Sequence, residues 1–298
     1  MECEAASDGM HYEGTCIRPP SEAMSILLQV TTGCSHDKCT FCGTYKGKRF
    51  RIKDNDIILS DIMFASKYMK RQDRVFLMDG DALIIPQKRL LWILEQIETH
   101  LPWVRRVGAY GNAKSIFMKT PEQLAELKEH RLGILYMGVE SGDDRVLEAI
   151  RKGASADKMV EMGRRVREAH IKLSVTVLIG IAGKERSLEH ARATGEVLSR
   201  MDPNYVGALT VMLIPGTPLH EDYVAGKFEL PSQRGLLMEL REMIAHTDLS
   251  RGLFFSNHAS NYLPIKARLP AGKQQALDLI DSALEGGVTL KPEWLRAL

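Results

Sequence analysis

Three cysteines lie close together in this chain: Cys34, Cys39 and Cys42, with four residues and then two between them. They follow an apolar run over residues 25–30. Soft thiolates at this density favour an iron–sulfur cluster or zinc. A structural zinc site closes with four protein ligands, whereas a catalytic metal keeps one position open. The pattern therefore predicts a metal centre with three cysteine ligands, such as a four-iron cluster with one iron free to bind another molecule.

Two further cysteines and one histidine are the alternatives for a fourth ligand. Cys3 belongs to a polar N-terminal segment and Cys16 stands well before the three clustered cysteines, so we interpret both as buried or incidental thiols. A zinc site that uses His36 is the other hypothesis. Because His36 stands between the cysteines in a short loop and no second ligand pair accompanies it, we expect it to be solvated or to lie next to a ligand.

The composition narrows the class of protein. The 298 residues carry 40 basic and 38 acidic side chains, a net charge of +2 that does not favour nucleic acid or a membrane as a partner. The N-terminal residues 1–4, which include Glu2 and Glu4, are acidic and lack the apolar segment of a secretory signal. No run in the chain reaches the ~20 apolar residues of a membrane span. Five cysteines, three of them clustered, suit a reducing compartment, so we predict a cytoplasmic protein.

Short β-rich runs alternate with amphipathic helical runs along the chain. The runs typical of strands cover residues 25–32, 74–78, 104–109, 134–139, 173–179 and 206–213. Helical periodicity or capping signals fill the intervals, as at 54–70, 121–130 and 188–200. Six consecutive strand–helix units imply a parallel sheet with right-handed crossovers. The predicted fold class is α/β, as an open doubly wound sheet or a curved partial barrel, with a further helix at 231–246 and a strand at 252–255.

Unusual residues follow each predicted strand, at the edge where parallel α/β folds bind ligands. The cysteines follow the first strand. The later groups, in chain order, are Gly80-Asp81, Tyr110-Gly111-Asn112, Glu140-Ser141-Gly142, Gly180-Ile181-Ala182-Gly183 and Pro215-Gly216-Thr217. A tight turn or a helix cap is a sufficient interpretation of each group alone. Their convergence at one edge is stronger evidence for a site than any single motif.

On these motifs the chain resembles the radical S-adenosylmethionine (SAM) superfamily, in particular its branch of oxygen-independent coproporphyrinogen oxidases and radical methylthiotransferases. The resemblance covers residues 25–217 and rests on the cysteine loop, with Phe41 just before the last cysteine, and on Gly138-Val139-Glu140-Ser141-Gly142. The cysteine spacing departs from the superfamily's usual three-then-two pattern. The resemblance implies a partial (βα)6 TIM-like barrel over 25–217, an N-terminal extension over 1–24, and a short α-rich C-terminal region over 218–298 that closes the barrel mouth.

The resemblance also implies two cofactors: a four-iron four-sulfur cluster on Cys34, Cys39 and Cys42, and SAM on its open iron. The residues implied for SAM are Gly80 and Asp81 at the amino group, Glu140 and Ser141 at the ribose or methionine part, Phe41, Ile179 and Gly180 beside the adenine, and Arg164 or Arg165 at the carboxylate. Asp81 stands where the family often has Gly-Gly-Glu, and an acid suits an ammonium group. The implied activity is reductive cleavage of SAM to a 5′-deoxyadenosyl radical that abstracts hydrogen from an unidentified small or medium-sized substrate.

Two further groups of polar residues are candidates for the substrate or a partner. Asn257, His258, Asn261 and Tyr262 follow an apolar run and would face the substrate if that run enters the barrel mouth, although a capped loop is an equal alternative. Tyr110 and Asn112 are weaker candidates. The basic residues Lys46, Lys48, Arg49, Arg51 and Lys53 form either a solvated face or a docking face for an anionic substrate or an acidic electron donor, such as flavodoxin or ferredoxin.

A second function remains open at this stage. Some relatives of the coproporphyrinogen oxidases are haem chaperones, so the chain could be a haem carrier that binds a cluster without turnover, with His258 or His36 as a haem ligand. A zinc-stabilised α/β protein is the third hypothesis. No cobalamin domain is evident, and the cysteines are too few for a second cluster held only by cysteines, which argues against a methylthiotransferase.

Overall fold

The computed structural model describes residues 9–14 and 16–297, so Cys3 lies outside the described residues. The described chain divides into two compact units. The first unit contains the described residues up to Asp37, Thr44–Tyr136 and Arg165–Lys172. The second unit contains Lys38–Gly43, Met137–Arg164 and the residues from Leu173 onwards. Each unit is described below by itself.

The first unit is built on parallel strands. Its elements in chain order are β1 (Ile26–Gln29), β2 (Thr31–Thr32), β3 (Arg51–Ile52), α1 (Asn55–Tyr68), β4 (Arg74–Met78), α2 (Gln87–His100), β5 (Arg106–Tyr110), α3 (Ala113–Phe117), α4 (Pro121–Glu129) and β6 (Leu132–Glu140), which ends in the second unit. β1 pairs with β4, β4 with β5, and β5 with β6, all in parallel. The ends of β1 and β4 are level, because Gln29 lies opposite Met78.

Local sequence explains these elements. The helix α1 buries Ile58, Ile62 and Ala65, which recur at four- and three-residue spacing on one face. The strand β4 buries Val75 to Met78 without alternation, which is typical of a parallel sheet covered on both faces. The helix α4 begins with a capping box, in which Thr120 Oγ1 accepts a hydrogen bond from the Gln123 amide. The helical and strand periodicities of the sequence therefore already predict which side chains face the core.

The second unit continues the alternation of strands and helices. Its elements after β6 are α5 (Asp144–Ala149), α6 (Ala156–Glu168), β7 (Lys172–Ile179), α7 (Ser187–Met201), β8 (Tyr205–Thr210), α8 (Pro218–Val224), α9 (Gln233–Ala245), β9 (Gly252–Phe255), β10 (Lys266–Leu269) and α10 (Lys273–Leu284). The last residues of α6 and the first residue of β7 are assigned to the first unit. β7 pairs with β8 and β8 with β9 in parallel, while β9 pairs with β10 in antiparallel fashion.

The predicted strand–helix alternation and the parallel pairing are confirmed. The strands expected at 74–78 and 252–255 have those bounds. The single strand expected over 25–32 was wrong in its extent, because Thr31 and Thr32 form the separate strand β2, which pairs with β3. Short elements were not predicted from the sequence, namely β2, β3, α3, α5, α8 and β10. Each is too short to show a period against its flanking turns.

The residues beyond 217 add strands as well as helices, since β9 extends the pairing of β8 through Tyr205 and Leu253. The division into segments 1–24, 25–217 and 218–298 stays a prediction. Within the described residues, no helix combines the length and the apolar character that crossing a membrane requires.

The basic run after the cysteines is not a uniform solvated face. Lys53 is fully buried in the first unit, where its Nζ donates to the carbonyl of His11 and lies 3.8 Å from Asp61 Oδ2. Asp61 is equally buried, and its Oδ1 accepts a hydrogen bond of 2.8 Å from the amide of His11. The expectation of a solvated lysine was therefore wrong, because this buried pair ties the segment before β1 to α1.

We predict that Asp61→Leu lowers the free energy of unfolding by about 3–5 kcal/mol, because it leaves the Lys53 ammonium buried without its counter-charge. Adding Lys53→Met should recover part of this loss, since an apolar pair of similar volume avoids the cost of desolvating two charges. Equilibrium urea unfolding of the single and double variants measures both changes. A double variant less stable than Asp61→Leu alone would contradict this account.

Candidate functional site

The loop that carries Cys34 in the first unit is joined to the loop after β4. The amide of Gly80 donates a 3.2 Å hydrogen bond to the carbonyl of Gly33. A Cβ atom on Gly80 would lie 2.8 Å from Cε2 of Tyr45 and 3.1 Å from Cβ of Cys34. A contact of 2.8 Å is too short for any real Cβ, so glycine is required at this position unless its neighbours move. Cys34, the first cysteine of the motif, therefore packs against Gly80.

Asp81 is fully buried beside the same loop. Its Oδ2 accepts hydrogen bonds from Ser35 Oγ at 2.5 Å and from Asn112 Nδ2 at 2.9 Å. Its Oδ1 has no hydrogen-bond partner among the described residues. Burial raises the pKa of Asp81 to about 6, and the hydrogen bond from Ser35 opposes that rise. Hydrogen bonds from the Ser115 hydroxyl and from the amides of Asn112 and Ile84 also oppose the rise. Oδ1 is therefore buried among polar groups without a hydrogen bond of ordinary length and angle.

Asn112 links the loops after β4 and β5 in the first unit. Its Oδ1 accepts from the amide of Ser115 and caps α3, which fixes the side chain. Its Nδ2 donates to Ser35 Oγ at 3.1 Å as well as to Asp81. Asn112 was only a weak candidate in the sequence, and the structure brings it into direct contact with the residue that follows Cys34.

A second buried carboxylate, Asp79, stands just before Gly80 and is fully engaged. Its Oδ1 accepts a 3.2 Å hydrogen bond from the Tyr45 hydroxyl and its Oδ2 a 3.0 Å bond from Gln29 Nε2. Its amide donates to Thr31 Oγ1 at 3.0 Å. Burial raises the pKa of Asp79, and it also raises the pKa of Tyr45, which keeps the phenol protonated as a donor. Asp79 therefore supports the loop and has no oxygen left for a ligand.

Tyr110 lies at the end of β5 within an aromatic group of the first unit. Its ring packs edge-on against Phe76 at 5.0 Å between centroids, and Tyr136 lies 6.1 Å away. Burial raises the pKa of Tyr110. Below this group, the hydroxyl of Tyr136 donates a 2.5 Å hydrogen bond to the fully buried Glu22. The aromatic group fills the space between neighbouring strands, and a contact of Tyr110 with substrate stays a prediction.

The segment Lys38–Gly43 belongs to the second unit and carries the other two cysteines. The amide of Thr40 donates to the carbonyl of Ile150 at 3.0 Å, and the Thr40 carbonyl accepts from the amide of Leu219 at 3.0 Å. A Cβ on Gly43 would lie 2.7 Å from Cγ2 of Ile214. These contacts hold the backbone between Cys39 and Cys42 at both ends.

The thiols themselves fit a soft metal. Cys34, Cys39 and Cys42 form no disulfide, and each is partly exposed. Phe41, beside Cys42, and His36 are likewise partly exposed. Cys16 also forms no disulfide and makes a weak sulfur contact to the carbonyl of Gly14. Within the described residues, no three His, Cys, Asp or Glu side chains are already gathered as a metal site. The assignment of ligands therefore rests on the thiols and their spacing.

The loop after β6 in the second unit carries Glu140, Ser141 and Gly142. Glu140 has a positive φ of 65°, and its Oε1 accepts a 2.8 Å hydrogen bond from Lys152 Nζ. The Ser141 side chain is fully buried and its Oγ lies 2.8 Å from Nδ1 of His190. Ser141 Oγ also accepts from the amide of Asp143 at 3.0 Å. Ser141 is therefore engaged inside the protein, and Glu140 is also buried, where it pairs with Lys152.

The turn after β7 is held by a helix further along the chain. Ile179 is buried at the end of β7, and Gly180 follows with a φ of 84°, which favours glycine. The amide of Gly180 donates a 2.6 Å hydrogen bond to Glu239 Oε1 on α9. Neither His190 nor Glu239 was singled out in the sequence, because both come from helices whose pattern shows only ordinary amphipathic spacing.

Both arginines predicted for the SAM carboxylate have backbone partners. Nε of Arg164 donates to the carbonyl of Arg200 at 2.7 Å in the second unit. In the first unit, Nη1 of Arg165 donates to the carbonyl of Lys119 at 3.3 Å. Lys119 is itself buried, with Nζ donating to the carbonyl of Ile85. A role for either arginine at a cofactor stays a prediction.

The candidate substrate residues near the C-terminus lie in one loop of the second unit. Asn257 is exposed. His258 Nδ1 lies 2.9 Å from Ser260 Oγ, and burial together with Lys291 lowers the pKa of His258. The Tyr262 hydroxyl donates to Glu293, and burial with this bond raises its pKa to about 12.

Asn261 differs from its neighbours because both the nitrogen and the oxygen of its side-chain amide have hydrogen-bond partners within the protein. Its Nδ2 donates to the carbonyls of Ala208 and Ser256, and its Oδ1 accepts from Thr210 Oγ1 at 2.8 Å. Asn261 thus ties its loop to the end of β8. Contact of His258, Asn257 or Tyr262 with a substrate stays a prediction.

Comparison with known proteins identifies the family and the fold. Residues 28–193 match the family described as the Radical SAM superfamily. Among curated proteins, an uncharacterized methyltransferase of Pyrococcus horikoshii is 23% identical over 212 residues, which are 68% of this chain and 43% of that protein. The chain thus spans less than half the length of this relative.

Several solved structures share the fold. Methylornithine synthase is 19% identical with a TM-score of 0.52, over 75% of this chain and 63% of that one. The radical SAM methyltransferase TsrM from Kitasatospora setae is 16% identical with a TM-score of 0.55, over 89% of this chain and 54% of that one. Coproporphyrinogen III oxidase from Escherichia coli is 13% identical with a TM-score of 0.53, over 74% and 51%. These likenesses confirm the predicted α/β fold class; the assignment to a branch stays a prediction.

The family match covers more than half of the chain and includes the cysteine loop, Gly80 and Asp81, the loop after β6 and the turn after β7. The predicted cofactors, a four-iron four-sulfur cluster and SAM, are those that members of this family bind. The chain belongs to the radical SAM superfamily.

Proposed function

We propose that Cys34, Cys39 and Cys42 hold the cluster and that the enzyme cleaves SAM reductively to abstract hydrogen from a small or medium-sized substrate. The observation that supports this most is Asp81, a buried carboxylate beside the cysteine loop with one oxygen that has no partner among the described residues. When bound, the cluster supplies an electron to the sulfonium of SAM and the bond to its 5′ carbon breaks, which leaves a carbon radical that takes the hydrogen atom.

The chain's own residues hold the first cysteine in place. The hydrogen bond between Gly80 and Gly33 and the contact of Gly80 with Cys34 fix the thiol that opens the motif. Tyr45 covers the other side of Gly80 and donates to Asp79. Because Tyr45 and Cβ of Cys34 already occupy the space of a Gly80 side chain, the backbone that carries the first cysteine is closely packed there. Such preorganisation lowers the cost of assembling a site from separate groups.

Asp81 is suited to the ammonium group of SAM. Its Oδ2 is satisfied by Ser35 and Asn112, so Oδ1 is the oxygen that a bound ammonium reaches. A charge-assisted hydrogen bond between these groups would stabilise the ionised carboxylate, which is costly to bury without a partner. Ser35 follows Cys34 directly, so the same hydrogen bond couples the acid to the cysteine loop.

The second unit contributes the remaining contacts. We assign Glu140, whose carboxylate accepts from Lys152 Nζ at 2.8 Å, to the ribose or methionine part of SAM. Ile179, Gly180 and Phe41 lie beside the adenine, where an apolar side chain and a bare backbone both suit a flat ring. Ser141 acts on the loop through its bonds to His190 and Asp143.

A small-molecule substrate and an electron donor complete the proposal. Asn257, His258 and Tyr262 face the substrate, and a protein such as flavodoxin or ferredoxin supplies the electron. Of the basic run, Lys46 and Arg49 are exposed and available to an acidic donor, whereas Arg51 pairs with Glu13.

The first test is the formation of 5′-deoxyadenosine by anaerobically reconstituted enzyme with SAM and dithionite, followed by chromatography. We expect this product from the wild type and none from Cys39→Ala, because a missing ligand prevents assembly of the reducing centre. A wild type that holds a full cluster, but yields no 5′-deoxyadenosine with or without candidate substrates, would exclude this function.

Iron content identifies the ligands. We predict that Cys34→Ala, Cys39→Ala and Cys42→Ala each lose the iron and the brown colour after reconstitution, because three thiolates are needed for the cluster. Cys16→Ala is the matched control and should keep the wild-type iron content. Full iron in any of the first three variants removes that residue from the ligand set, and loss of iron in the control adds Cys16.

Substitutions of two neighbouring carboxylates, Asp81 and Asp79, distinguish a role in cofactor binding from a role in supporting the loop. We predict that Asp81→Asn weakens SAM binding about 10- to 100-fold, since a hydrogen bond to a charged group is worth about 1.5–3 kcal/mol. Asp79→Asn should weaken it much less, because both Asp79 oxygens already have partners in the protein. Equilibrium dialysis of SAM against both reconstituted variants measures the difference. Equal effects would show that Asp81 acts only on loop structure.

A further inference from the structure

A buried polar network in the second unit connects the loop after β6 with the turn after β7. Its members Ser141, His190, Thr194 and Glu239 are fully buried. His190 Nδ1 lies 2.8 Å from Ser141 Oγ, and His190 Nε2 lies 3.4 Å from Glu239 Oε1 and 3.1 Å from the carbonyl of Leu178. The imidazole of His190 thus lies between Ser141, in the loop after β6, and Glu239, which accepts from the turn after β7.

The donors and acceptors of this network balance in one arrangement. Glu239 Oε1 accepts from the Gly180 amide at 2.6 Å, and its Oε2 accepts from Ser187 Oγ. With a proton on Nε2, His190 donates towards Glu239 and the Leu178 carbonyl, and its Nδ1 accepts from Ser141 Oγ. Ser141 Oγ then accepts from the Asp143 amide. Every polar atom has a partner, so the arrangement specifies one geometry for both loops.

Helix α7, which carries His190 and Thr194, packs closely against the loop after β6. The amide of Gly142 donates to Thr194 Oγ1 at 2.9 Å, and a Cβ on Gly142 would lie 2.3 Å from the carbonyl oxygen of Ala193. On the other side of α7, a Cβ on Gly195 would lie 2.7 Å from Cβ of His246. Both glycines therefore allow close contact, Gly142 with the backbone of α7 and Gly195 with the residues at the end of α9.

Burying the Glu239 carboxylate costs free energy, so a gain in stability alone does not explain it. Within the described chain, no lysine or arginine forms an ion pair with Glu239, whose charge is met only by hydrogen-bond donors. Apolar side chains of similar volume often stabilise a core as well or better. Specification of a single local geometry is the benefit that such a network offers in return.

We infer that His190 and Glu239 are positioning residues for SAM: they set the loop containing Glu140 and the turn containing Gly180 at a fixed separation, so that both engage one cofactor molecule. This inference rests on the proposed function, which assigns those two segments to SAM. Neither residue touches the cofactor; His190 acts through Ser141, and Glu239 acts through the Gly180 amide.

The test compares SAM binding with stability in the reconstituted holoenzyme. Glu239→Gln keeps the side-chain shape but replaces one acceptor by a donor. His190→Asn keeps a polar group near Ser141 and loses the group that faces Glu239, while His190→Gln does the reverse. The matched control is Thr247→Val, which removes a buried 2.7 Å hydrogen bond to the Met243 carbonyl and touches neither loop. Iron content, Tm, the Kd of SAM, and KM and kcat for 5′-deoxyadenosine formation are measured for each.

We expect Glu239→Gln and both His190 variants to raise the Kd and KM of SAM about tenfold, with wild-type iron content and a smaller change in kcat. Thr247→Val should lower Tm without changing the Kd. Ser141→Ala combined with Glu239→Gln should weaken binding by less than the product of the single effects, because His190 couples the two residues. Kd values that equal the control's, or effects that multiply independently, would overturn the inference.

A measurement on the wild type covers the case in which the variants do not fold. Hydrogen exchange in peptides over residues 140–145 and 177–183 should slow together when SAM is added to the holoenzyme. SAM binding that protects neither peptide, or only one of them, would overturn the inference and leave SAM cleavage intact. A wild type with a full cluster that binds no SAM would instead overturn the proposed function, and with it this inference.

Discussion

The close contact between Gly80 and the cysteine loop is the constraint on which the rest of the site depends. The hydrogen bond from Gly80 to Gly33 brings the loop after β4 against the backbone just before Cys34. No side chain fits at Gly80, because Tyr45 and Cys34 fill that space. Since β1 and β4 end level, the parallel register of the strands delivers both loops to the same place. The position of the first thiol is therefore a consequence of strand pairing.

Buried acids occur in both units, and their hydrogen-bond partners differ. Asp79 and Glu239 have both oxygens bonded within the protein, and each holds a loop. Asp81 has one oxygen bonded and one without a partner in the described chain. A buried oxygen without a hydrogen bond costs free energy, and a ligand is one way to recover that cost. Asp61 Oδ2 also lacks a hydrogen bond but lies 3.8 Å from the Lys53 ammonium. Asp81 differs because no cation pairs with it among the described residues, which is why the proposal assigns it to SAM.

The sequence predicted those parts of the site that depend on local chemistry. The thiol spacing, Gly80, Asp81 and the strand–helix alternation are visible in short windows of residues, and the family match confirms the class that they indicated. His190 and Glu239 were missed because their importance comes from hydrogen bonds to residues many positions away. Lys53 was misjudged for the same reason, since only tertiary structure brings Asp61 and His11 to a lysine within a basic run.

The unusual four-residue interval between Cys34 and Cys39 has a local physical basis. Asp37 lies in this interval with a φ of 41°, a left-handed conformation that aspartate tolerates better than most residues. The chain also passes from the first compact unit to the second between Asp37 and Lys38. The interval between Cys39 and Cys42 keeps the usual two residues, and the bonds of Thr40 to Ile150 and Leu219 hold it there. The longer interval therefore contains a left-handed turn, whereas two hydrogen bonds within the second unit hold the backbone of the shorter interval at Thr40.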